Sequence, residues 1–428
     1  MLLYNRGYYA SIDGVNPSGV VLCTSTINFT QLSSRNEAYN LDMVLYDPQY
    51  YLCSIDKAAC GSTFSKIISY PWISVSPPKT SPVIKKLQKA NTQHSNSSRN
   101  ILIPKTDQEV TDCIDLCFKA QKKIGVTHLI VPTPLAVARE DQFSEQLRWL
   151  NLAQSLKSDY IEPFLATIAL SDETLLNCSF EENLMLQTIL DHAAVMQHID
   201  GYYIVIERDA VTSQITEMNV ARALLELSYN LGYHQEKEVI INFADVFGLV
   251  CLAVGATAFG SGYRVKERRL CLDDFIERTG GTALPRYYSS SLIGDFYSER
   301  DLERIVELKL FRYISNDIIT SQSQSLINAL ENKVKVKTIE PWKETRSNVA
   351  TAAKHRVNCI SEQANLVMKC QTIEERLNLV FTWIQDAEAH MGYLKSRLKD
   401  NPLREDGRHL SVWRNAIESF MESNEIIL

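Results

Sequence analysis

Residues 42–52 read DMVLYDPQYYL. Met43 to Tyr46 make an apolar run with a turn signal directly behind it, too short for a helix and suited to a strand buried on both faces. Asp47-Pro48 ends the run, because proline has no N–H to give to a ladder. The same kind of unit recurs along the chain. Apolar runs stand at 19–24, 128–132, 163–170, 202–206, 239–243, 256–259 and, weakly, 286–292. Amphipathic stretches at 107–124, 142–157, 184–198, 218–231 and 245–254 lie between them. Such βαβα alternation predicts parallel strands covered by helices. Seven or eight units before residue 297 predict an α/β chain folded as a (β/α)8 TIM-like barrel over 1–296. An open doubly wound sheet is the alternative, but the sequence has no GxGxxG behind a first strand and no GxxxxGK[ST].

Beyond residue 297 the strand pattern stops. Segments 299–313, 318–332, 348–369, 372–398 and 411–422 read as helices, so 297–428 is expected to be a helical C-terminal domain. From Glu331 onward its charge is nearly balanced, as in a packed, solvated bundle.

The whole chain sets outer limits. It has 428 residues, 45% hydrophobic and 22% charged, with a formal net charge of -7. No global basic excess points to nucleic acid, so local charge has to be read instead. No apolar run reaches the ~20 residues of a membrane helix, and MLLYNRGYYASIDG lacks the apolar core of a leader peptide. The ten cysteines sit in apolar contexts with no CxxC, which predicts buried thiols in a reducing cytoplasm. No Cys/His cluster has metal-ligand spacing. His192 and His198 are six apart, the wrong interval for sharing a metal on one helix. No catalytic metal or cofactor is expected, and oligomeric state is not legible.

Two local segments carry excess positive charge. The insert 79–106 holds Lys79, Lys85, Lys86, Lys89, Arg99 and Lys105 and no acid, among Ser, Asn, Thr and Gln. This is the composition of a solvated loop, or of an arm for phosphates. A second cluster, Gly260-Ser261-Gly262-Tyr263-Arg264-Val265-Lys266-Glu267-Arg268-Arg269, begins where the run at 256–259 ends. Its glycines permit close backbone approach and its arginine forks suit phosphate.

The order of these motifs resembles the tRNA-guanine transglycosylase superfamily, whose barrels remove a nucleobase from a polynucleotide. The family's strand-then-Asp turn, Asp-Ser-Gly-Gly-Phe-Gln, looks like Asp47-Pro48-Gln49-Tyr50. Its Gly-Tyr strand behind an Asp looks like Asp200-Gly201-Tyr202-Tyr203-Ile204-Val205. Its next strand, helix, Gly and strand look like Val239 through Gly255 to Phe259. The family then has Asp-Cys-Val-Met-Pro-Thr-Arg, where the Asp is the nucleophile that holds the sugar during base exchange. Here that position is Gly260. The family's zinc cluster of three Cys and one His is also missing.

The resemblance therefore implies a nucleobase-removing barrel, and the departures argue against true exchange. An N-glycosylase hydrolysing a modified base out of DNA, more than tRNA, is the expected function. Some family members act on modified bases in phage DNA or in defence against phage. The alternatives are base exchange, or a non-catalytic barrel that binds nucleic acid or a partner. Cleaving an N-glycosidic bond builds positive charge on the sugar, which a carboxylate can stabilise while activating water. Asp47 is the expected catalytic carboxylate and Glu207 a second acid/base. Gln49, Tyr50, Tyr51, Thr133, Arg208, Asp245, Ser261, Tyr263 and Arg264 are the expected substrate contacts. Lys85, Lys86, Lys89, Arg99, Lys266 and Arg268 are the expected contacts to the nucleic-acid backbone. Against this stands the plain alternative that Asp-Pro merely ends a strand, that the tyrosines pack a core, and that Asp245 caps the next helix.

Overall fold

A computed structural model describes residues 1–7, 13–33, 40–54, 61–76, 78–82, 85, 101–137, 140–176, 184–196, 198–209, 212–275, 283–399 and 402–428. Eight parallel strands make one sheet: β1 (Leu2–Asn5), β2 (Gly19–Cys23), β3 (Met43–Asp47), β4 (Leu129–Ile130), β5 (Phe164–Ser171), β6 (Gly201–Glu207), β7 (Glu238–Ile241) and β8 (Ala258–Ser261). Each lies beside its neighbour in sequence, and β1 pairs with β8, so that Leu3 faces Gly260. The result is a TIM-like barrel with one seam, between β3 and β4. Thr127 narrows it: its N–H donates to the Val44 carbonyl at 2.9 Å, and its Oγ1 accepts from the Val44 N–H at 3.1 Å. On its other flank β4 pairs with β5 through the N–H groups of Leu129 and Val131, which leaves the Ile130 N–H and carbonyl without a strand partner. The buried Gln121 side chain takes that role, donating to the Ile130 carbonyl at 2.8 Å and accepting its N–H at 2.9 Å. A buried backbone edge is thereby satisfied where the ladder is open.

The strand count differs from the sequence reading in one respect. The barrel's missing member is not the run at 286–292 but Leu2–Asn5, at the very start of the chain. The later run forms β9 (Arg286–Ser289), which pairs antiparallel with β10 (Gly294–Tyr297) in a hairpin outside the barrel. Tyr287 and Tyr288 on β9 are both buried, so the hairpin has two covered faces and no need of the barrel. Its own partner strand is close in sequence, and local antiparallel pairing is the shorter closure.

The helices follow from capping and periodicity. In α1 (Asp107–Ile124), Thr106 and Glu109 form a reciprocal capping box, and Gly125 ends the helix at φ +82°. Val110, Ile114, Cys117, Phe118 and Gln121 make its buried stripe. The outer layer continues with α2 (Glu140–Ser155), α3 (Leu184–Val195), α4 (Met218–Leu227) and α5 (Gly248–Val254). Three long helices then wrap back on the barrel. Of these, α6 (Val349–Lys369) packs on β9, β1 and α5. The next, α7 (Ile373–Arg397), packs on α5, and α8 (Arg408–Ser423) covers α4. The Trp413 indole of α8 donates to the Ile215 carbonyl at 2.8 Å, tying it to the loop above β6. Among the described residues, no helix is long and apolar enough to cross a membrane.

Candidate active site

In parallel barrels, loops from the C-terminal strand ends form the functional mouth. Asp47 ends β3, Glu207 ends β6, Asp245 follows β7 and Ser261 ends β8, so all four share that rim. They do not form one cluster.

The first cluster is built on Asp47. Side chains alternate along β3. Tyr46 faces the helix layer, where its hydroxyl meets Thr24 Oγ1 at 2.7 Å, and Asp47 therefore faces the barrel interior. On β6, Tyr202 points outward to the Ala193 carbonyl and Tyr203 points inward. The Tyr203 hydroxyl crosses the barrel and donates to Asp47 Oδ2 at 2.8 Å, and Tyr51 donates to the same oxygen at 2.7 Å. The Gln49 N–H donates to Oδ1 at 2.9 Å, from a residue held at φ +47° just behind Pro48. Asn242, directly after β7, donates to the Tyr203 hydroxyl, and Asn5 at the end of β1 donates to Asn242 Oδ1 at 2.7 Å. A hydrogen-bonded chain thus runs from β1 through β7 and β6 to β3.

Asp47 has no exposed surface. Burial pushes its carboxyl up to about 6, against the hydrogen bonds that favour the ionised form. It is still roughly nine-tenths ionised at pH 7. A carboxylate offers about four acceptor positions. Tyr51 and Tyr203 take two on Oδ2 and Gln49 takes one on Oδ1, and the Asn242 side chain also supports the ionised carboxylate. Glu207 stands on the same interior face of β6 but four residues beyond Tyr203, about 13 Å further up by strand rise. It is partly buried and takes a long contact of 3.5 Å from the Leu272 N–H.

The second cluster is ionic. Asp245 and Asp295 alternate with Arg268 and Arg356, all four at 3% exposure or less. Arg268 binds Asp245 Oδ2 through Nε and Nη2 at 2.8 and 2.6 Å, and Asp295 Oδ2 through Nη1 at 2.5 Å. Arg356, from α6, binds Asp245 Oδ1 at 2.5 Å and Asp295 Oδ1 at 3.3 Å. It also donates to the Gly262 carbonyl at 3.0 Å. Ser261 Oγ donates to Asp245 Oδ1 at 3.0 Å. Burial opposes ionisation of both acids, yet the two guanidiniums outweigh it and hold both carboxyls below their ordinary value. The quartet binds the β7 and β8 loops, the β9–β10 hairpin and α6 into one neutral knot.

The other expected residues divide as follows. Tyr50 is buried against the Trp149 ring, with centroids 4.7 Å apart, and presents no face for stacking on a base. Gln49 accepts the Ser25 N–H at 2.9 Å, and Thr133 donates to the Thr167 carbonyl at 3.2 Å. Arg208 is closed around the loop above β6, on the Ser213 and Gln214 carbonyls and Glu217. Arg268 is 1% exposed, and its guanidinium is bound to Asp245 and Asp295 at the wall of a surface cavity. Tyr263 donates to the Leu284 carbonyl at 3.1 Å and is buried. Arg264 is exposed, Lys266 partly so, and Lys85 is exposed. Lys86, Lys89 and Arg99 lie outside the described residues. Asp245 does not cap α5, because its own φ is +50° and its carboxylate faces the two arginines.

Tyr203, Asn242 and Asn5 are not among the residues expected from the sequence. The rule that finds Asp47, a polar side chain ending a buried strand, applies equally to Asn5 and Asn242. Among the described residues, no three His, Cys, Asp or Glu side chains converge as a metal site. No family model, curated protein or solved structure matches the chain.

Proposed function

We propose that this chain is an N-glycosidic-bond hydrolase acting on a nucleic acid, with Asp47 as its catalytic carboxylate. The observation that carries the reading is the Asp47 site itself. A carboxylate stands at the functional end of a barrel, oriented by two tyrosine hydroxyls and a backbone N–H, with its pKa raised to about 6. A group with a pKa just below working pH suits proton transfer. In the reaction, a water oxygen bonds to the anomeric carbon as the carbon–nitrogen bond breaks. The Asp47 carboxylate receives the water proton, and the leaving base takes a proton from solvent on its ring nitrogen. The negative charge of Asp47 also stabilises the cationic sugar in between.

A second observation favours hydrolysis over exchange. A Cβ placed on Gly260 would lie 1.9 Å from Asn242 Oδ1 and 3.2 Å from Asn5 Oδ1. The position where the resemblance puts an exchange nucleophile is thus filled by the Asn5–Asn242 pair. Asp47 lies below the surface, so substrate reaches it only with movement of the Gln49–Tyr51 turn that contacts it.

That same closure favours a second reading, in which Asp47 is a fastener between β3 and β6 and the barrel only binds a partner. The deciding experiment incubates the protein with a panel of modified DNAs and tRNAs and detects free base and alkali-labile abasic sites. Asp47→Asn keeps the shape and removes the charge, and should lower base release by roughly 10²- to 10⁴-fold. Full release by Asp47→Asn would remove Asp47 from the mechanism. No release by the wild type on any member of the panel would leave the binding barrel standing.

A further inference from the structure

We propose that the cavity between β1, the segment after β8 and the first turn of α6 is a phosphate site. It has a volume of about 590 Å³, and Tyr4, Arg264, Glu267, Arg346 and Lys354 are among its lining residues. Arg264 and Arg346 are exposed and Lys354 is half-buried. None of the three takes part in an ion pair with a described residue. That distinguishes them from Arg148, Arg208, Arg268, Arg269, Arg356 and Arg414, each of which has a carboxylate partner. In a chain of net charge -7, three cations against one acid around one concavity form a local positive potential that a mobile anion would fill.

Among the described lining residues Glu267 is the one acid, set against these three cations. Its Oε2 accepts the N–H groups of Tyr263 and Arg264 at 3.2 and 3.0 Å, so that oxygen is turned to the backbone. Two further features point the same way. Tyr4 is 3% exposed, lines the cavity, and its hydroxyl has no hydrogen-bond partner among the described residues. The 21-residue α6 opens here, and Asn348 at its start leaves the first turn without a side-chain cap. A helix N-terminus, two guanidinium forks, an ammonium and a hydroxyl match a tetrahedral, multiply charged oxyanion better than a flat carboxylate. The cavity wall runs directly on from Ser261 at the rim, through Gly262 and Tyr263. A phosphate bound there belongs to the strand entering the mouth. That last identification rests on the function proposed above, whereas the phosphate chemistry does not.

Two probes separate the phosphate chemistry from the strand on the full chain. Inorganic pyrophosphate, followed by isothermal titration, tests the chemistry alone. The double variant Arg346→Gln/Lys354→Gln removes two side chains that hold no ion pair among the described residues. It should weaken pyrophosphate binding at least about tenfold. Its circular dichroism and melting curve should match the wild type. Pyrophosphate that fails to bind the wild type, or binds the variant equally well, overturns the site. A single-stranded oligonucleotide tests the strand: the variant should flatten the slope of log Kd against log salt by about 0.7 for each phosphate it no longer neutralises. Bound pyrophosphate that the oligonucleotide does not displace would uphold the phosphate site and count against the nucleic-acid substrate.

Discussion

Removing Arg356 from the buried quartet is the sharpest test of how the mouth is held together. In Arg356→Met the stem volume stays and the guanidinium goes. Asp245 and Asp295 are then left with one arginine between them, a net buried charge of one. Losing one partner of a buried ionic group costs about 3–5 kcal/mol. The Gly262 carbonyl also loses its donor, about another 1 kcal/mol, and the guanidinium no longer lies over the Tyr288 ring, 5.2 Å away. The expected total is about 4–6 kcal/mol. Neutralising the charge left behind should recover part of it. Asp245→Asn alone leaves an excess positive charge, whereas Arg356→Met/Asp245→Asn restores neutrality, so the two losses should fall short of additive by about 2 kcal/mol or more.

Acid should have the same effect as the second mutation. In the wild type, Asp245 and Asp295 are held low, so their contribution is present above the unfolded carboxylate pKa and lost as pH falls. In Arg356→Met that depression is relieved, a carboxyl protonates early, and the gap to the wild type narrows towards pH 4. Urea unfolding followed by circular dichroism at pH 7 and pH 4.5 measures all of this. An additive cycle, or a loss that does not shrink with acid, would show that the four groups are not one electrostatic unit.

Tyr203→Phe removes one donor to Asp47 and the acceptor of Asn242. It should cost about 1–3 kcal/mol and move the acidic limb of the base-release profile to higher pH, since the ionised carboxylate loses support. Gly260→Ala should destabilise by about 1–3 kcal/mol through the clash with Asn242, and adding Asn242→Ala should relieve the clash and recover part of the loss in a thermal melt. Asp317 is pushed up to about 6 by burial, against the Ser291 N–H and the Ser289 and Tyr287 hydroxyls. Its contribution is full below the unfolded pKa and lost as pH rises through 6, so Asp317→Asn should gain about 3 kcal/mol on the wild type between pH 3.5 and 7. Parallel stability curves would contradict that shift.

Much of the barrel is legible in the chain because parallel strands buried on both faces read as plain apolar runs. Leu2–Asn5 escapes because four residues at a chain start carry no periodicity and invite comparison with a leader. The run at 286–292 misleads because aromatic residues favour any half-covered strand, in a barrel or in a hairpin. Asp47 is legible since an ionisable side chain ending a buried strand needs a reason. Tyr203 is not, because adjacent Tyr202 and Tyr203 give no hint which one faces the interior. Arg268 and Asp245 read as surface chemistry because their partners, Asp295 and Arg356, come from distant segments. A pairing of that range has no local signature, and Arg356 sits in a helix whose overall charge reads as solvated.

The distribution of charge at the mouth has its own logic. A polyanionic strand is held best by cations, yet a sugar that turns cationic is stabilised by an anion. Placed together these demands conflict: at about 10 Å and an effective dielectric near 20, two unit charges still interact by about 1.7 kcal/mol. Here Arg264, Arg346 and Lys354, which form no ion pair among the described residues, line the cavity beside β1. Asp47 stands inside the barrel, ringed by neutral donors. The two arginines buried behind the rim, Arg268 and Arg356, are neutralised within the quartet. Pairing them with Asp245 and Asp295 gives the mouth rigidity without a net positive field over the carboxylate. Freeing either arginine would add attraction for the strand and would oppose the transition state, so the quartet serves the proposed chemistry only while it stays closed.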